Sequence, residues 1–236
     1  MRAFLTALQI TTRFRTKEPS ADYGSVNLLL PIAGAVIGGV LWVCASLITE
    51  LASFGAGAVI GAILLPLLYV WGTQARNLSG LLWLIDQWAL PEEALDRSHF
   101  YWRVTGFQLA VLVKIALIGL LLYAQQSAWL LVMVVLSHAG LAELCRPGTE
   151  TGDEQPLGRW GHWILAALTV VVVSVFNGTV VAGVLAIIIS WLLVPVLGRG
   201  ISRETGILLE ESGKRAIVEL VEYAVLFVAV LFFYGS

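Results

Sequence analysis

Residues 107–124 read FQLAVLVKIALIGLLLYA, eighteen positions with one charge among them, Lys114. A bilayer core asks about 20 apolar residues of a helix, within a range of roughly 17–25. A soluble helix of this length would keep a polar face, and this one has none. The stretch therefore reads as a membrane span. Its lysine has seven span residues before it and ten after it. A charge at the bilayer centre costs at least about 2.5–3.5 kcal/mol, so Lys114 needs a partner or a use. Two questions follow: how many such spans the chain has, and which acids answer the lysine.

The composition agrees with the first reading. Hydrophobic residues make up 58% of the 236 and charged residues 13%, about half the share of a soluble domain. Seven stretches have the length and apolarity of spans: 26–49, 52–73, 107–124, 128–144, 160–176, 179–197 and 216–234. An eighth apolar segment, 77–90, is too short to cross and reads as interfacial or re-entrant. The expectation is an all-α, polytopic integral membrane helix bundle of about seven transmembrane helices, forming a single domain over 1–236. The opening MRAFLTALQITTRFRTK is too short and too polar in its middle for a secretory signal, and reads as an amphipathic entry segment retained in the mature protein.

The distribution of Lys and Arg sets the sidedness. Thirteen of the fourteen fall in residues 1–25, 74–106, 145–162 and 198–215, and none in the tight connections near Glu50, Gln125 and Asn177. Under the positive-inside rule the N-terminus and the long loops are cytoplasmic, which predicts a multi-pass protein of the cytoplasmic (inner) membrane. The fourteenth cation is Lys114. No basic stretch with interleaved aromatics suggests nucleic acid; the lipid bilayer is the first partner. Cys44 and Cys145 lie far apart and read as neither a disulfide nor a metal site. Gly34 and Gly38, then Gly57 and Gly61, have the four-residue spacing that lets helix backbones approach. Contact between the first and second spans explains them better than a dimer seam.

The acids available to Lys114 are few. Glu219 and Glu222 are three apart on one face of the last span, just after Lys214 and Arg215. Asp86 lies in the short apolar segment, near Arg76. Two readings stand. In one, Lys114 pairs with Asp86 or Glu219 and locks helices together. In the other, these groups line a polar cavity facing the cytoplasm; adjacent carboxylates repel unless something cationic sits between them. His138 reads as a hydrogen-bonded interior histidine, Glu143 sits near the end of its span, and His99 and His162 lie in loops or at the interface. None has zinc spacing. The aromatic run HFYWR, 99–103, reads as an interfacial belt. Asn177-Gly-Thr179 is a weak glycosylation match in a tight turn.

The order of several motifs resembles the cobalamin synthase (adenosylcobinamide-GDP ribazoletransferase) family. FLTALQITTRF at 4–14 is similar to that family's opening, and LLPIAGAVIGGV at 29–40 to the start of its first span. GFQLAVLVKIAL at 106–117 resembles its segment with an intramembrane lysine, and RAIVELVEY at 215–223 its last helix. LSGLLWLIDQW, 78–88, stands where the family carries an Asp-rich motif. The resemblance implies transfer of the adenosylcobinamide phosphate moiety from adenosylcobinamide-GDP to α-ribazole or α-ribazole 5′-phosphate, with release of GMP. It also implies Mg²⁺, which would bridge a diphosphate from a stripe of three carboxylates.

The three motif positions fall here on Ser79, Trp83 and Asp86, so one carboxylate of three is kept. On the resemblance, Asp86, Lys114, Glu219 and Glu222 are the expected catalytic residues, with Asp86, Glu219 and Glu222 as metal ligands. Glu210 and Glu211, in the stretch ILLEES at 207–212, are further acids for that role. The alternative is a non-catalytic relative acting as a scaffold or binding partner for other cobamide-pathway proteins. A small transporter ranks below both, because no pair of broken helices in matching halves is evident.

Overall fold

A computed structural model describes residues 2–12, 23–52, 54–89, 97–145, 156–205 and 211–235, and every element among them is a helix. In chain order they are α1 (Arg2–Thr11), α2 (Tyr23–Leu51), α3 (Phe54–Thr73), α4 (Arg76–Ala89), α5 (Arg97–Tyr123), α6 (Trp129–Leu144), α7 (Pro156–Phe176), α8 (Val180–Thr205) and α9 (Glu211–Tyr234). In hydrocarbon no water can satisfy a backbone amide, so an apolar chain that crosses must close its hydrogen bonds within each segment. That is why Pro31, Pro66 and Pro195 interrupt the ladder without ending their helices.

Each of the seven expected spans is a helix. Five are long and apolar enough to cross a membrane, covering Ser25–Leu51, Gly55–Thr73, Arg103–Tyr123, Val180–Ile201 and Glu211–Tyr234; the apolar stretches Trp129–Leu144 and Trp160–Phe176 are shorter. The protein is a polytopic membrane helix bundle. The shortness of α6 has a reason. Residues 129–142 are all buried, so α6 is the axis of the bundle and needs no lipid-facing length. The other long helices expose large apolar side chains, such as Val43 and Leu47, Ile63 and Leu67, Leu109 and Leu112, Leu168 and Val172, and Leu185 and Leu192. A soluble protein would not leave this much contiguous apolar surface.

The helices alternate in direction. At one end, Asn27 donates to the Cys145 carbonyl (3.4 Å), and His162 meets Glu143 (3.0 Å). At the other end, Ser46 meets Ser127 (3.4 Å) and Gly57 packs on Ile48 and Thr49. Three turns share one device, a left-handed residue after the last helical turn with paired bonds back to it. After α5, Gln125 (φ 58°) donates to Leu122 and Gln126 to Leu121. After α7, Gly178 (φ 67°) donates to Val175 and Thr179 to Ser174. After α3, Gln74 (φ 57°) donates to Trp71 and Ala75 to Val70. This third turn does not reverse the chain. The short segment expected to be interfacial or re-entrant, α4, continues towards the same end, displaced to lie along α9: Asn77 reaches Glu222, and Gly80 packs on Ser212, Arg215 and Ala216.

The glycine pairs need a correction. Gly34 and Gly38 face α6, where an added Cβ would meet His138 at 2.9 Å and Leu131 Cα at 2.7 Å. Gly57 does pack on α2, while Gly61 meets Leu122 of α5. The contacts lie within the chain, but the helix that needs the closest approach is the buried axis. The entry segment α1 is amphipathic as expected, and it is tied down. The guanidiniums of Arg76 and Arg215 both donate to the Ile10 carbonyl at its C-terminal end, Arg215 at 2.9 Å, and Arg76 also reaches the Gln9 carbonyl at 3.4 Å. Two cations thereby meet the negative end of the helix dipole. Glu210 and the side chain of His99, named above, lie outside the described residues.

Candidate functional site

The bundle centre answers the question Lys114 raised. Its ammonium lies 2.7 Å from Glu219 Oε1 and 2.5 Å from Glu222 Oε2. Helical spacing puts the two glutamates on one face of α9, and that face is turned to α5. The lysine is 2% exposed and both glutamates 0%, so the group is sealed from water. Glu222 is fully engaged. Its Oε1 accepts the Tyr69 hydroxyl, the Asn77 amide (3.1 Å) and the Ser137 hydroxyl (3.2 Å), while its Oε2 takes the ammonium. Asn77 also donates to the Tyr69 oxygen at 3.3 Å. One carboxylate thus ties together α3, α4, α5, α6 and α9. Glu219 is less served, because its Oε2 is buried without a hydrogen-bond partner among the described residues. The rings of Tyr69 and Tyr223 stand 5.0 and 5.5 Å from the ammonium, within the reach of a cation–π attraction. Tyr223 is held by its own bond to the Ala110 carbonyl at 2.8 Å.

His138 is an interior histidine as expected. Its Nδ1 lies 2.8 Å from the Val134 carbonyl and 3.3 Å from Ser137 Oγ. Glu143 and His162 clasp α6 to α7. Cys44 and Cys145 are free thiols, and burial holds the Cys145 thiol above its usual range.

Asp86 lies apart from this cluster. It is paired with Arg103 of α5, Oδ2 to Nε at 3.4 Å, towards the bundle surface. Its Oδ1 is buried without a hydrogen-bond partner among the described residues. The lysine's partners are therefore Glu219 and Glu222, and the aspartate's is an arginine one helix end away. The other two motif positions point elsewhere: Ser79 donates to the Arg76 carbonyl at 2.8 Å, and Trp83 packs against the hydrophobic core. Glu211 pairs with Arg215 at 2.8 Å. Tyr101 of the aromatic run is exposed.

These placements bear on magnesium. The ion asks for near-octahedral oxygen ligation at about 2.0–2.1 Å. Glu219 and Glu222 have an ammonium between them, and donor hydrogens face Glu222 Oε1. Asp86 brings one carboxylate, already facing a guanidinium. Among the described residues no three acids, histidines or cysteines gather so as to hold a metal. The described donor set does not fit Mg²⁺.

Sequence reasoning did not single out Tyr69, Asn77 or Ser137. Each is an unremarkable polar residue in an apolar stretch, and only the packing brings it to Glu222. A model of the cobalamin-5-phosphate synthase (CobS) family matches residues 3–230. No curated protein and no solved structure matches the chain.

Proposed function

The chain belongs to the cobalamin-5-phosphate synthase family, and on that premise we propose that it is an adenosylcobinamide-GDP ribazoletransferase of the cytoplasmic (inner) membrane. The observation that carries this reading is the family match over nearly the whole chain, on a multi-pass bundle. The reaction joins α-ribazole or its 5′-phosphate to the adenosylcobinamide phosphate moiety and releases GMP. The end of the bundle that carries Arg76, Arg103, Arg199 and Arg215 faces the cytoplasm in this reading, because thirteen of the fourteen cations belong to segments on that side. Arg103 stands there half-exposed, where a soluble phosphate ester can reach it, with the more buried Asp86 beside it. Arg103 offers a phosphate its guanidinium, and Asp86 sets the orientation of that group.

The buried cluster has a different part in this reading. Lys114, Glu219 and Glu222 do not meet substrate; they hold α5 and α9 together beneath the site. Function follows the site rather than the fold, so the test is direct. Purified protein in lipid vesicles receives both substrates and Mg²⁺, and the cobamide product and GMP are measured. Turnover that Asp86→Ala abolishes supports the assignment.

A second reading rests on a specific observation. Two motif carboxylates are replaced by Ser79 and Trp83, and Glu219 and Glu222 of α9 are engaged by Lys114. A scaffold or binding partner for other cobamide-pathway proteins would keep this bundle without the chemistry. Absence of product in the same assay, with the folded protein verified, favours it. A cell that makes cobamides with this chain as its single family member excludes it.

A further inference from the structure

The geometry points to a site of another kind inside the bundle: an ammonium cage built by Glu219, Glu222, Tyr69 and Tyr223, and filled by the chain's own Lys114. The receiving groups come from α3 and α9, and Asn77 of α4 and Ser137 of α6 hold Glu222 in place. None of these side chains belongs to α5, which contributes the occupant and, through the Ala110 carbonyl, the backbone acceptor that holds Tyr223 in place. An ammonium has three N–H donors and no acceptor. Two donors are met by carboxylate oxygens at 2.7 and 2.5 Å. The ring centroids at 5.0 and 5.5 Å offer aromatic π-systems to the remaining positive charge, and such attraction grows where water is excluded.

The same features select against a divalent metal. Aromatic rings are not oxygen ligands. The hydrogens of Tyr69, Asn77 and Ser137 point at Glu222 Oε1, where a metal would need lone pairs. The charged groups facing the cage are those already named on α5 and α9; α6 adds His138 on the Glu222 side, and residues 180–198 of α8 contain no charged residue. A primary ammonium is thus the ligand class for which the site is shaped, and its occupant arrives tethered. This inference does not depend on the transferase reading, and its test does not measure activity.

Replacing Lys114 by alanine removes three methylenes and the ammonium, which together are n-propylammonium. The expected result is a lower Tm for Lys114→Ala in bicelles, with at least half of the loss recovered when n-propylammonium chloride is added during purification. Tetramethylammonium and potassium at the same concentration recover none. Recovery by Mg²⁺ or Mn²⁺ equal to that by the amine overturns the proposal, as does a Tm that the amine leaves unchanged. Should the alanine variant fail to accumulate, growth and extraction with the amine present are expected to yield folded protein, and failure to do so counts against the cage. An independent measurement uses the intact chain. Mn²⁺ binding followed by electron paramagnetic resonance is expected to be the same for wild type and Glu219→Gln, and a loss of bound Mn²⁺ in the variant overturns the assignment.

Discussion

Lys114→Met is the perturbation that most directly tests the bundle's centre. Methionine keeps an unbranched side chain one heavy atom shorter and removes the charge, so most of the packing of α5 is preserved while two buried carboxylates lose their cation. If the ammonium contributed only ordinary interhelical hydrogen bonds, the loss would average about 0.6 kcal/mol and not exceed about 1.7 kcal/mol. Removing one partner of a buried ion pair instead costs about 3–5 kcal/mol, because a charge is left without compensation. Here Glu222 retains three neutral donors, from Tyr69, Asn77 and Ser137, which places the loss at the lower end, about 3 kcal/mol. For a chain of this size each kcal/mol moves Tm by about 2–4 °C, so the expected fall is about 6–12 °C. The nine tryptophans allow thermal unfolding in bicelles to be followed by intrinsic fluorescence. A second variant fixes the cause. Lys114→Met combined with Glu219→Gln and Glu222→Gln removes all three charges and is expected to be at least as stable as the single variant, since replacing a whole buried ion group is often neutral or favourable. A single-variant loss below about 1.7 kcal/mol, or a triple variant less stable than the single, would refute the reasoning.

Gly38→Ala places a Cβ 2.7 Å from Leu131 Cα and is expected to cost about 1–3 kcal/mol by overpacking, whereas Gly39→Ala, with open space around it, should be neutral or slightly stabilising in the same thermal scan. Arg215→Ala removes a charged hydrogen bond to Ile10, of a kind that contributes about 1.5–3 kcal/mol. A cysteine placed at Thr11, 2% exposed, should then be labelled by a maleimide that does not reach it in the parent protein; equal labelling in both would show that α1 does not depend on this contact. Asp86→Asn breaks a pair whose side chains are 53% and 22% exposed. Such pairs are worth under about 1 kcal/mol, so Tm should hold while transferase turnover is lost, and a large Tm fall with turnover retained would move Asp86 from the site to the scaffold.

The spans were legible because hydrocarbon leaves the backbone one answer, and because the cations fall into alternate connections. The pairing of Lys114 with Glu219 was legible for a related reason: a buried charge of one sign must find the other, and few candidates exist. Which helix forms the axis was not. The segments 128–144 and 179–197 are both predominantly apolar, and apolarity alone does not say whether a neighbour is lipid or protein. For the same reason Gly34 and Gly38 announced a close approach but not that α6 was the helix approached. Tyr69, Asn77 and Ser137 gave no signal, since a polar residue in a span becomes meaningful only through the acceptor that packing brings to it. Asp86 was read beside Arg76 in sequence, but the turn at Gln74 and Ala75 sends α4 along α9 and sets the carboxylate against Arg103.

The distance along the chain between the lysine and its counter-charges has a consequence for synthesis. Lys114 precedes Glu219 by 105 residues, and at about 5–20 residues per second the ribosome takes about 5–20 s to bridge that gap. During this time the half-made protein must place a helix with an unanswered ammonium in the bilayer. The cost of about 2.5–3.5 kcal/mol is offset by the eleven or so strongly apolar neighbours that enter with it, and the stem can lift the charge towards the surface. Insertion of α9 then draws the ammonium down, so a helix translated well after α5 is the one that completes its seating.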